Sequence, residues 1–474
     1  MNATISVLSA LALATAVTGA RADTGPAEPR FRDVYKELVE TNTTQSTGSC
    51  TLAAERMAAR LRAGGIPDGD LHLFVAPGFP LDGGLVAIYP GRDPKAKAVL
   101  LLAHLDVVEA KREDWTRDPF TLVEENGEFY ARGASDDKAE AAIWVDTLLR
   151  FRDERYRPRR TVKVALTCGE ESGGRLNGAR WLVENRRELI DAGLALNEGG
   201  GGELDAEGHR VVLTVEAGEK TAQSFRLEIT NPGGHSSRPV KDNAIYRMAG
   251  ALKRIEAYAF PAQFNDANRA YFAGMAKIQA GRGEAAIAAA MAEFIRDPQA
   301  AAAIEQVAAR DPGWNAMLRT TCVATMFEAG HALNALPQRA RAIVNCRIFP
   351  GTTPEAVRAQ LVSLVADPAI SVVALALAHP PAPSPELTPA IMQPIEKLAA
   401  AFWPGVPVLP VLMTGGTDGT LTNAAGIPTY GVEPVFAGAD LGNIHGLNEH
   451  VGVKALLEGR EFLYRLVKVY ADAP

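Results

Sequence analysis

The sequence contains few cysteines, no long basic stripe and, after its N-terminal segment, no long apolar run. Its four cysteines follow no metal-ligand spacing, which excludes a thiolate metal site and a disulfide-rich scaffold. The net charge of −7 without a basic stripe argues against a nucleic-acid partner. No later run is long and apolar enough to span a membrane as a helix. These absences leave a small molecule as the expected partner.

The cysteines leave one structural choice open. Cys322 and Cys346 lie in two strand-like segments that could pair with each other. An isolated disulfide would fit there in an oxidising compartment, and two buried free thiols would fit as well.

The N-terminus has the pattern of a targeting segment. Val7–Val17 is apolar but too short to cross a bilayer, and Ala20–Ala22 supplies small residues for cleavage before Asp23. We therefore predict a signal peptide at residues 1–22 and export to the periplasm or out of the cell. Because Met1–Ser6 contains no Lys or Arg, a cytoplasmic location stays open as the alternative.

The composition is that of an ordinary globular protein, with 47% hydrophobic and 22% charged residues. A chain of 474 residues is too long for one typical core, so we expect two domains. Strand-like segments such as Leu85–Tyr89 alternate with helix-like segments such as Lys138–Arg152, which predicts an α/β fold whose mixed sheet is flanked by helices.

The pattern changes after residue 217. Ala222–Ile229 alternates apolar and polar residues, as a half-buried antiparallel strand does. The segments that follow give the order β-α-β-β-α-β, which is typical of a ferredoxin-like α+β domain. We predict that this domain occupies 218–379, with an Ala-rich helical insertion at about 260–315, and that the first domain consists of 23–217 and 380–474.

The most informative stretch is Ala98–Val108, an apolar run of strand length that ends in His104 and Asp106. In an open α/β sheet, functional residues lie outside the carboxyl ends of the strands. Residues i and i+2 of an extended segment lie on the same side. Asp106 can therefore fix the imidazole of His104, as carboxylates do for metal-ligating histidines.

Five residues at strand ends or in the following loops have side chains that bind metal ions: His104, Asp136, Glu171, Glu198 and His445. Imidazole and carboxylate ligands without thiolates suit Zn²⁺, with Co²⁺ or Mn²⁺ as substitutes. Five ligands exceed one open tetrahedral site but fit two ions if one carboxylate bridges them. The neighbouring Glu170 is then available as a general base for water.

Six segments carry a resemblance to a known family: Ala103–Asp106, Gly133–Lys138, Glu170–Glu171, Gly233–Ser236, Arg347 with Phe349–Gly351, and His445–Glu449. In this order and over nearly all of the chain after the leader, they resemble the co-catalytic zinc metallopeptidases. That family includes aminoacylase-1, carnosinase, carboxypeptidase S, acetylornithine deacetylase and succinyl-diaminopimelate desuccinylase, and the carboxypeptidase S branch looks most similar.

The resemblance implies a role for each ligand. His104 and Glu198 would hold one zinc ion, Glu171 and His445 the other, and Asp136 would bridge both. Asp106 would orient His104, and Glu170 would take a proton from the metal-activated water and deliver it to the leaving amine. The Asp136–Asp137 peptide would be cis.

The resemblance also implies substrate contacts. His235 would stabilise the tetrahedral oxyanion, and in dimeric members it acts from the partner subunit. Asn334 and Arg347 would bind the polar end of the substrate, and Gly416 and Thr417 would line the same pocket. The inserted domain would serve as the lid and as the homodimer interface.

Taken together, these features predict a zinc-dependent metallo-carboxypeptidase or dipeptidase that cleaves the amide next to a free carboxylate. An N-acyl-amino-acid deacylase of the aminoacylase type is the alternative. A non-catalytic peptide or amino-acid binding protein is less favoured, because binding alone requires neither the five ligands nor Glu170.

Overall fold

The computed structural model describes residues 27–171, 176–377 and 379–474. The predicted signal peptide at 1–22 lies outside the described residues. Within these three ranges, no helix combines the length and apolarity needed to cross a membrane.

The helices, numbered in chain order, are α1 Ala27–Val39, α2 Cys50–Ala63, α3 Lys138–Asp153, α4 Gly178–Asn185, α5 Arg187–Ile190, α6 Ala244–Glu256, α7 Asp266–Gly281, α8 Ala285–Arg296, α9 Ala301–Arg310, α10 Pro312–Leu318, α11 Pro354–Val365, α12 Pro389–Phe402, α13 Gly419–Ala424 and α14 Val453–Asp472.

The strands are β1 Leu71–Phe74, β2 Gly84–Tyr89, β3 Val99–His104, β4 Val123–Glu125, β5 Glu128–Tyr130, β6 Val162–Thr167, β7 Leu194–Asn197, β8 Gly201–Leu204, β9 Arg210–Glu219, β10 Thr221–Thr230, β11 Gly234–His235, β12 Thr321–Ala329, β13 Ala335–Leu336, β14 Arg339–Ile348, β15 Ser371–Ala374, β16 Val408–Met413, β17 Thr429–Gly431, β18 Phe436–Ala437 and β19 His450–Gly452.

A large mixed sheet forms the centre of the fold and confirms the predicted α/β class. Its order is β1-β2-β6-β3-β7-β17-β9-β8-β18, with β16 paired to β9. Strands β6, β3, β7 and β17 run parallel to one another, and every residue of β3, β6 and β7 is buried. Such strands need helices on both faces. Because they are parallel, their carboxyl ends meet at one edge of the sheet.

Alternate residues of β3 show the helix–sheet–helix layering. Val99 and Leu101 join a core that contains residues of α1, α2, α3 and α14. Leu100 and Leu102 join a second core with residues of α4 and α5. The period of two residues along a strand thus assigns successive side chains to opposite layers.

The inserted segment forms a four-stranded sheet of order β12-β14-β10-β15, and every pairing in it is antiparallel. Helices α6 and α11 contribute Met248 and Leu361 to its core, where they meet Phe225 and Leu227 of β10. This arrangement confirms the predicted β-α-β-β-α-β order. Strand β12 lies at one edge of this sheet, and most of its residues are exposed.

The Ala-rich segment forms the four helices α7 to α10, which pack away from the inserted sheet. Phe272, Met291 and Phe294 from these helices share a core with Val212 of β9 and Leu409 of β16. By packing, these helices therefore belong to the large sheet, although in sequence they lie within the segment 218–379. The physical reason is that the outer strand β16 leaves an apolar face that needs a cover.

Two disulfides resolve the choice that the sequence left open. Cys322 and Cys346 are bridged between β12 and β14, where they are directly opposite each other. A second bridge joins Cys50 at the start of α2 to Cys168 after β6, across 118 residues of sequence. Sequence reasoning missed this bridge because no local pattern reports a contact at that separation.

Removing the Cys50–Cys168 bridge is expected to destabilise the protein strongly. Closure of a 118-residue loop corresponds to roughly 5 kcal/mol of unfolded-state entropy, against roughly 3.5 kcal/mol for the 24-residue loop of Cys322–Cys346. Urea unfolding of the Cys50→Ala/Cys168→Ala variant and of the Cys322→Ala/Cys346→Ala variant measures the loss of stability that follows removal of each bridge. Equal losses in the two variants would contradict the loop-length argument.

Candidate metal centre

Three of the five predicted ligands lie at the edge where parallel strands end. His104 is the last residue of β3, Glu198 follows β7, and Glu171 lies in the loop after β6. Asp136 lies two residues before the start of α3, and His445 lies in the loop between β18 and β19. The strand order β6-β3-β7 makes the first three neighbours in space.

Asp136 stands at the centre of the cluster and joins two groups. Its Oδ1 lies 3.0 Å from His104 Nε2, and its Oδ2 lies 3.1 Å from His445 Nε2. Glu198 Oε2 lies 3.6 Å from His104 Nε2, and Glu171 Oε1 lies 2.7 Å from His445 Nε2. Each group thus contains one imidazole and one further carboxylate, and the two groups share Asp136.

The electrostatics of the cluster favour positive charge. Hydrogen bonds to Asp136 and Glu171 raise the pKa of His445 to about 10. Burial lowers the pKa of His104, but Glu198 and Asp136 outweigh burial and raise it well above its ordinary value. Burial raises the pKa of Asp136, yet its bonds to both histidines bring the pKa below its usual range. Three carboxylates around two imidazoles therefore attract cations.

This donor set fits two divalent ions. Imidazole nitrogen with carboxylate oxygen is the ligand mixture of zinc hydrolase sites. A carboxylate that directs one oxygen toward each histidine has the placement that a bridging ligand needs. The ligand types and the placement of Asp136 are therefore those that a two-metal centre requires.

Glu170 lies beside the cluster in a half-buried position. Burial, with the negative charges of Glu198, Asp418 and Glu171, raises the pKa of Glu170 to about 10 against the opposing charge of His104. Glu170 is thus within electrostatic reach of both groups of ligands. Without metal ions this carboxyl group keeps its proton at neutral pH; the positive charge of two bound metal ions would favour its ionised form, which can accept and return a proton.

Asp106 contacts both His104 and the loop that carries Glu170 and Glu171. His104 Nδ1 lies 2.9 Å from the main-chain oxygen of Asp106 and 3.7 Å from its carboxylate Oδ1. The carboxylate instead accepts the main-chain N–H groups of Gly169, Glu170 and Glu171 at 2.7, 3.3 and 3.1 Å. The carbonyl therefore orients the histidine, while the carboxylate holds the loop of the two glutamates. The reason is that this loop directs three unpaired N–H groups at Asp106.

Asp137 is also close to His104 and Glu198. Its Oδ2 accepts the main-chain N–H of His104 at 3.1 Å, and the side chain is buried. The peptide bond between Asp136 and Asp137 is cis, as the resemblance implied. We therefore keep Asp136, rather than Asp137, as the shared ligand.

Sequence reasoning missed a buried ion pair that supports Asp136. Glu449 Oε2 accepts from Arg132 Nη1 at 2.6 Å and from the N–H of Gly133 at 3.0 Å. Its Oε1 accepts the N–H groups of Ser135 and Asp136 at 2.8 and 3.1 Å. This carboxylate ties the Asp136 loop to the His445 loop. The only local signal was the position of Glu449 in the segment His445–Glu449.

Replacement of Glu449 by alanine is expected to lower the free energy of unfolding by about 3–5 kcal/mol, because it leaves Arg132 buried without its partner. Bound metal should fall as well, since Asp136 loses its support. Urea denaturation and metal analysis measure the two effects. Asp68→Ala, which breaks the exposed pair with Arg62, is the control and should cost less than about 1 kcal/mol. A loss of similar size in both variants would contradict this role.

The predicted substrate residues of the inserted domain lie apart from the cluster. His235 and Asn334 are exposed, and Asn334 accepts the N–H of Ser236 through its main-chain oxygen at 3.0 Å. Arg347 is half-buried on β14. Burial, with a smaller contribution from the charge of Arg347, lowers the pKa of Lys220 to about 7. In the described ranges no hydrogen bond or ion pair joins His235, Asn334 or Arg347 to the five ligands.

Thr417 and Gly416 lie nearer to the centre. The N–H and hydroxyl of Thr417 donate to Glu219 at 2.6 and 2.8 Å, and Asn197 Nδ2 donates to the Thr417 hydroxyl at 3.0 Å. Thr417 also lines the same cavity as Glu198. A Cβ at Gly416 would lie 3.5 Å from Glu219 Oε2. These bonds anchor the Gly416–Thr417 loop beside the strand that leads to Glu198.

Comparisons with known proteins agree with this geometry. Residues 100–469 match the model of Peptidase family M20/M25/M40. The chain is 28% identical over 387 residues to the N-fatty-acyl-amino acid synthase/hydrolase PM20D1 of Homo sapiens, covering 80% of this chain and 75% of that protein.

Two solved structures show the same fold. The M20 family metallo-carboxypeptidase Sso-CP2 from Sulfolobus solfataricus is similar with a TM-score of 0.70 at 18% identity, covering 93% of this chain and 99% of that one. The YXEP protein from Bacillus subtilis, described as a dinuclear metal binding peptidase, is similar with a TM-score of 0.60 at 13% identity, covering 94% and 99%.

Proposed function

The chain belongs to peptidase family M20/M25/M40, a family of hydrolases of peptide and amide bonds, and from this premise we propose that it is a di-zinc enzyme that cleaves the amide next to a free carboxylate. The substrate is either a peptide C-terminus or an N-acyl amino acid. The observation that carries the proposal is the pair of histidine–carboxylate groups that share Asp136, with Glu170 beside them.

The proposed ligand assignment follows the two groups. His104 and Glu198 would hold one zinc ion, Glu171 and His445 would hold the other, and Asp136 would contribute to both sites. A bound zinc pair polarises the substrate carbonyl and lowers the pKa of water toward neutrality. Co²⁺ or Mn²⁺ can substitute, because the ligands are nitrogen and oxygen only.

The protein's own groups then handle the proton and the geometry. Glu170 accepts the proton of the attacking water and donates it to the nitrogen of the leaving amine. Asp106 holds the loop in place by accepting the main-chain N–H groups of Gly169, Glu170 and Glu171. Glu449, in the loop that carries His445, accepts the main-chain N–H of Asp136 and so holds Asp136 in place.

The inserted domain is proposed to act as a lid. Arg347 binds the substrate carboxylate as a bidentate partner, Asn334 assists it, and His235 stabilises the oxyanion. Closure brings these groups onto the substrate and excludes water. The exposure of His235 and Asn334 supports a role that is completed only on closure or by a partner subunit.

The edge strand β12 supports a homodimer through the inserted domain. Val323, Met326 and Phe327 on it are 61, 59 and 47% exposed. Exposed apolar edge strands pair with other chains. Val323→Glu/Phe327→Glu is expected to convert a dimer into a monomer in light scattering, whereas Val373→Glu on the opposite edge strand β15 should leave it dimeric. A monomeric wild type at micromolar concentration would reject this interface.

Export remains part of the proposal. The two disulfides support an oxidising compartment, which agrees with the signal peptide predicted at 1–22. Mass spectrometry of the secreted or periplasmic fraction should find a chain that begins near Asp23.

The experiment that tests the activity compares substrates that differ only in the free carboxylate. Zinc-loaded protein should hydrolyse N-acetyl-L-phenylalanine and leave its carboxamide analogue intact. Arg347→Ala should raise KM for the first substrate with little change in kcat. Fewer than one zinc ion per chain, together with no hydrolysis, would favour a non-catalytic binding protein instead.

A further inference from the structure

An arginine-rich segment, residues 150–160, comprises the end of α3 and the turn that leads toward β6. Six of its eleven residues are arginine, although the chain as a whole has a net charge of −7. Neither the metal centre nor the proposed lid uses this segment. The proposed hydrolysis therefore gives no reason for so much positive charge at one place.

Three of these arginines line a cavity of about 570 Å³, which we call the arginine cavity. Its walls come from the loop between α2 and β1, from the end of β2 and from the arginine-rich segment. The lining residues are Ile66, Pro67, Asp70, Ile88, Tyr89, Pro90, Arg152, Arg155, Tyr156 and Arg157. A Cβ at Gly65 would lie 3.3 Å from Arg152 Nη2, so this guanidinium lies against the wall that contains Ile66. The cavity thus combines apolar side chains with three guanidinium groups.

The positive charge of the arginine cavity is not neutralised by neighbouring side chains. In the described part of the chain, Arg152, Arg155 and Arg157 form no ion pair. The carboxylates nearby in sequence or space are bound to other cations, in the pairs Asp153–Arg30 at 2.6 Å, Glu154–Lys468 at 2.8 Å and Asp93–Arg159 at 3.1 Å. The lining contains one carboxylate, Asp70, against three guanidiniums. An anion that enters the cavity would therefore meet an excess of positive charge.

The end of α3 accounts for only one of the three arginines. Arg152 lies in the last turn of the helix, where a cation interacts favourably with the terminal carbonyl groups. Arg155 and Arg157 lie beyond the helix. Arg155 also has φ +53, a left-handed conformation in which glycine or asparagine is usual after a helix. The ending of the helix therefore does not explain why arginine occupies these two positions.

The main chain that carries Arg155 and Arg157 is held in place. The hydroxyl of Tyr89 donates to the main-chain oxygens of Phe151 and Tyr156 at 3.2 and 2.8 Å. The main-chain N–H of Tyr156 donates to the Phe151 oxygen at 2.9 Å. The turn is thus tied to the end of β2 without a ligand. A main chain that is already ordered lowers the entropy lost when a ligand binds.

We propose that the arginine cavity binds a small multivalent phosphate-type anion, such as diphosphate or a phosphate ester. Guanidinium groups match the oxygens of phosphate with paired hydrogen bonds, and such charge-assisted bonds are strong. The site is concave and contains apolar walls, which suits a soluble anion better than the flat surface of a membrane.

The arginine cavity lies at the opposite edge of the large sheet from the metal centre. Tyr89 pairs with Val162, the first residue of β6, whereas Glu171 follows the other end of this strand. A six-residue strand spans roughly 20 Å. The bound anion would therefore not contact the substrate, and the site is separate from the proposed hydrolysis.

The first experiment is calorimetric titration of the zinc-loaded, disulfide-intact protein with diphosphate. Arg155→Gln/Arg157→Gln should weaken binding by roughly 100-fold, because each lost charge-assisted hydrogen bond lowers affinity by roughly tenfold. Lys277→Gln/Arg296→Gln removes the same charge from exposed positions on α7 and α8 and should bind diphosphate like the wild type. Both variants should keep the wild-type melting temperature and the wild-type kcat for N-acetyl-L-phenylalanine. Absence of binding to the wild type, or equal weakening in the two variants, would overturn the proposal.

A second titration separates the arginine cavity from the metal ions, which also attract diphosphate. Asp136→Ala, which should lose most of its zinc, is expected to retain the binding that depends on Arg155 and Arg157. If diphosphate no longer binds to Asp136→Ala, the anion binds at the metal centre and the proposal is wrong.

A third experiment distinguishes a soluble anion from lipid headgroups. Cosedimentation with phosphatidylcholine vesicles should not increase when phosphatidic acid is included. Binding to phosphatidic acid that requires Arg155 and Arg157 and is not displaced by diphosphate would assign these arginines to a membrane surface, and it would overturn the proposal of a soluble ligand.

Discussion

Glu170→Gln is expected to lower kcat for amide hydrolysis by roughly 10²–10⁴-fold while the protein keeps two metal ions per chain. Glutamine preserves the size and most of the packing of this half-buried side chain but can no longer accept the proton of water. Because the five metal ligands are unchanged, metal binding should persist. The expected signature is therefore a folded, metal-loaded protein that turns over very slowly.

The measurement combines steady-state kinetics with metal analysis of the same preparation. Glu396→Gln on the exposed side of α12 is the matched control and should retain wild-type kcat. Glu170→Asp should recover part of the activity, because it restores a carboxylate at a shorter reach. A Glu170→Gln variant that keeps two ions and full kcat would remove Glu170 from the proton-transfer role.

Asp136→Ala should have the largest effect on metal binding. It removes the only one of the five ligands that contacts both histidines, at 3.0 and 3.1 Å. Without it, each imidazole retains one carboxylate partner, Glu198 or Glu171. We expect bound zinc to fall from two ions to fewer than one per chain, with hydrolysis below detection.

Asp106→Ala is the informative comparison, because it removes a different carboxylate that also lies beside His104. Its carboxylate holds main-chain N–H groups, so its loss should lower turnover or metal affinity by roughly 10- to 100-fold without removing a ligand. Circular dichroism of both variants checks whether they are folded. Equal metal loss in the two variants would mean that Asp136 supports the loop rather than binding both ions.

Three of the five candidate ligands could be predicted to lie together because each one ends or follows an apolar run. Apolar runs of strand length end at His104 and just before Glu171 and Glu198, and parallel strands bring their carboxyl ends to one edge. That rule depends only on strand direction, not on exact register. The structure accordingly places all five residues in one cluster with neighbouring distances of 2.7 to 3.6 Å.

The supporting contacts could not be predicted in the same way. Glu449 bonds to Arg132 across 317 residues, and the Cys50–Cys168 bridge spans 118. The spacing of residues in the sequence does not indicate contacts between residues that are so far apart. Asp106 shows the limit even at short range, since alternation placed it beside His104 but did not reveal that its carboxylate meets the Gly169–Glu171 main chain.

The amino-acid sequence by itself determined the α/β class and the β-α-β-β-α-β order of the inserted segment, and it predicted which residues lie together in the candidate metal centre, because periodicity and strand ends are local properties. Only the tertiary structure decided that the Ala-rich helices cover β16, which disulfides form, that Glu449 supports Asp136 and that a cavity adjoins Glu198. Each of these depends on which distant segments the large sheet brings together. The free energy of burial and of hydrogen bonding selects those neighbours over the whole chain.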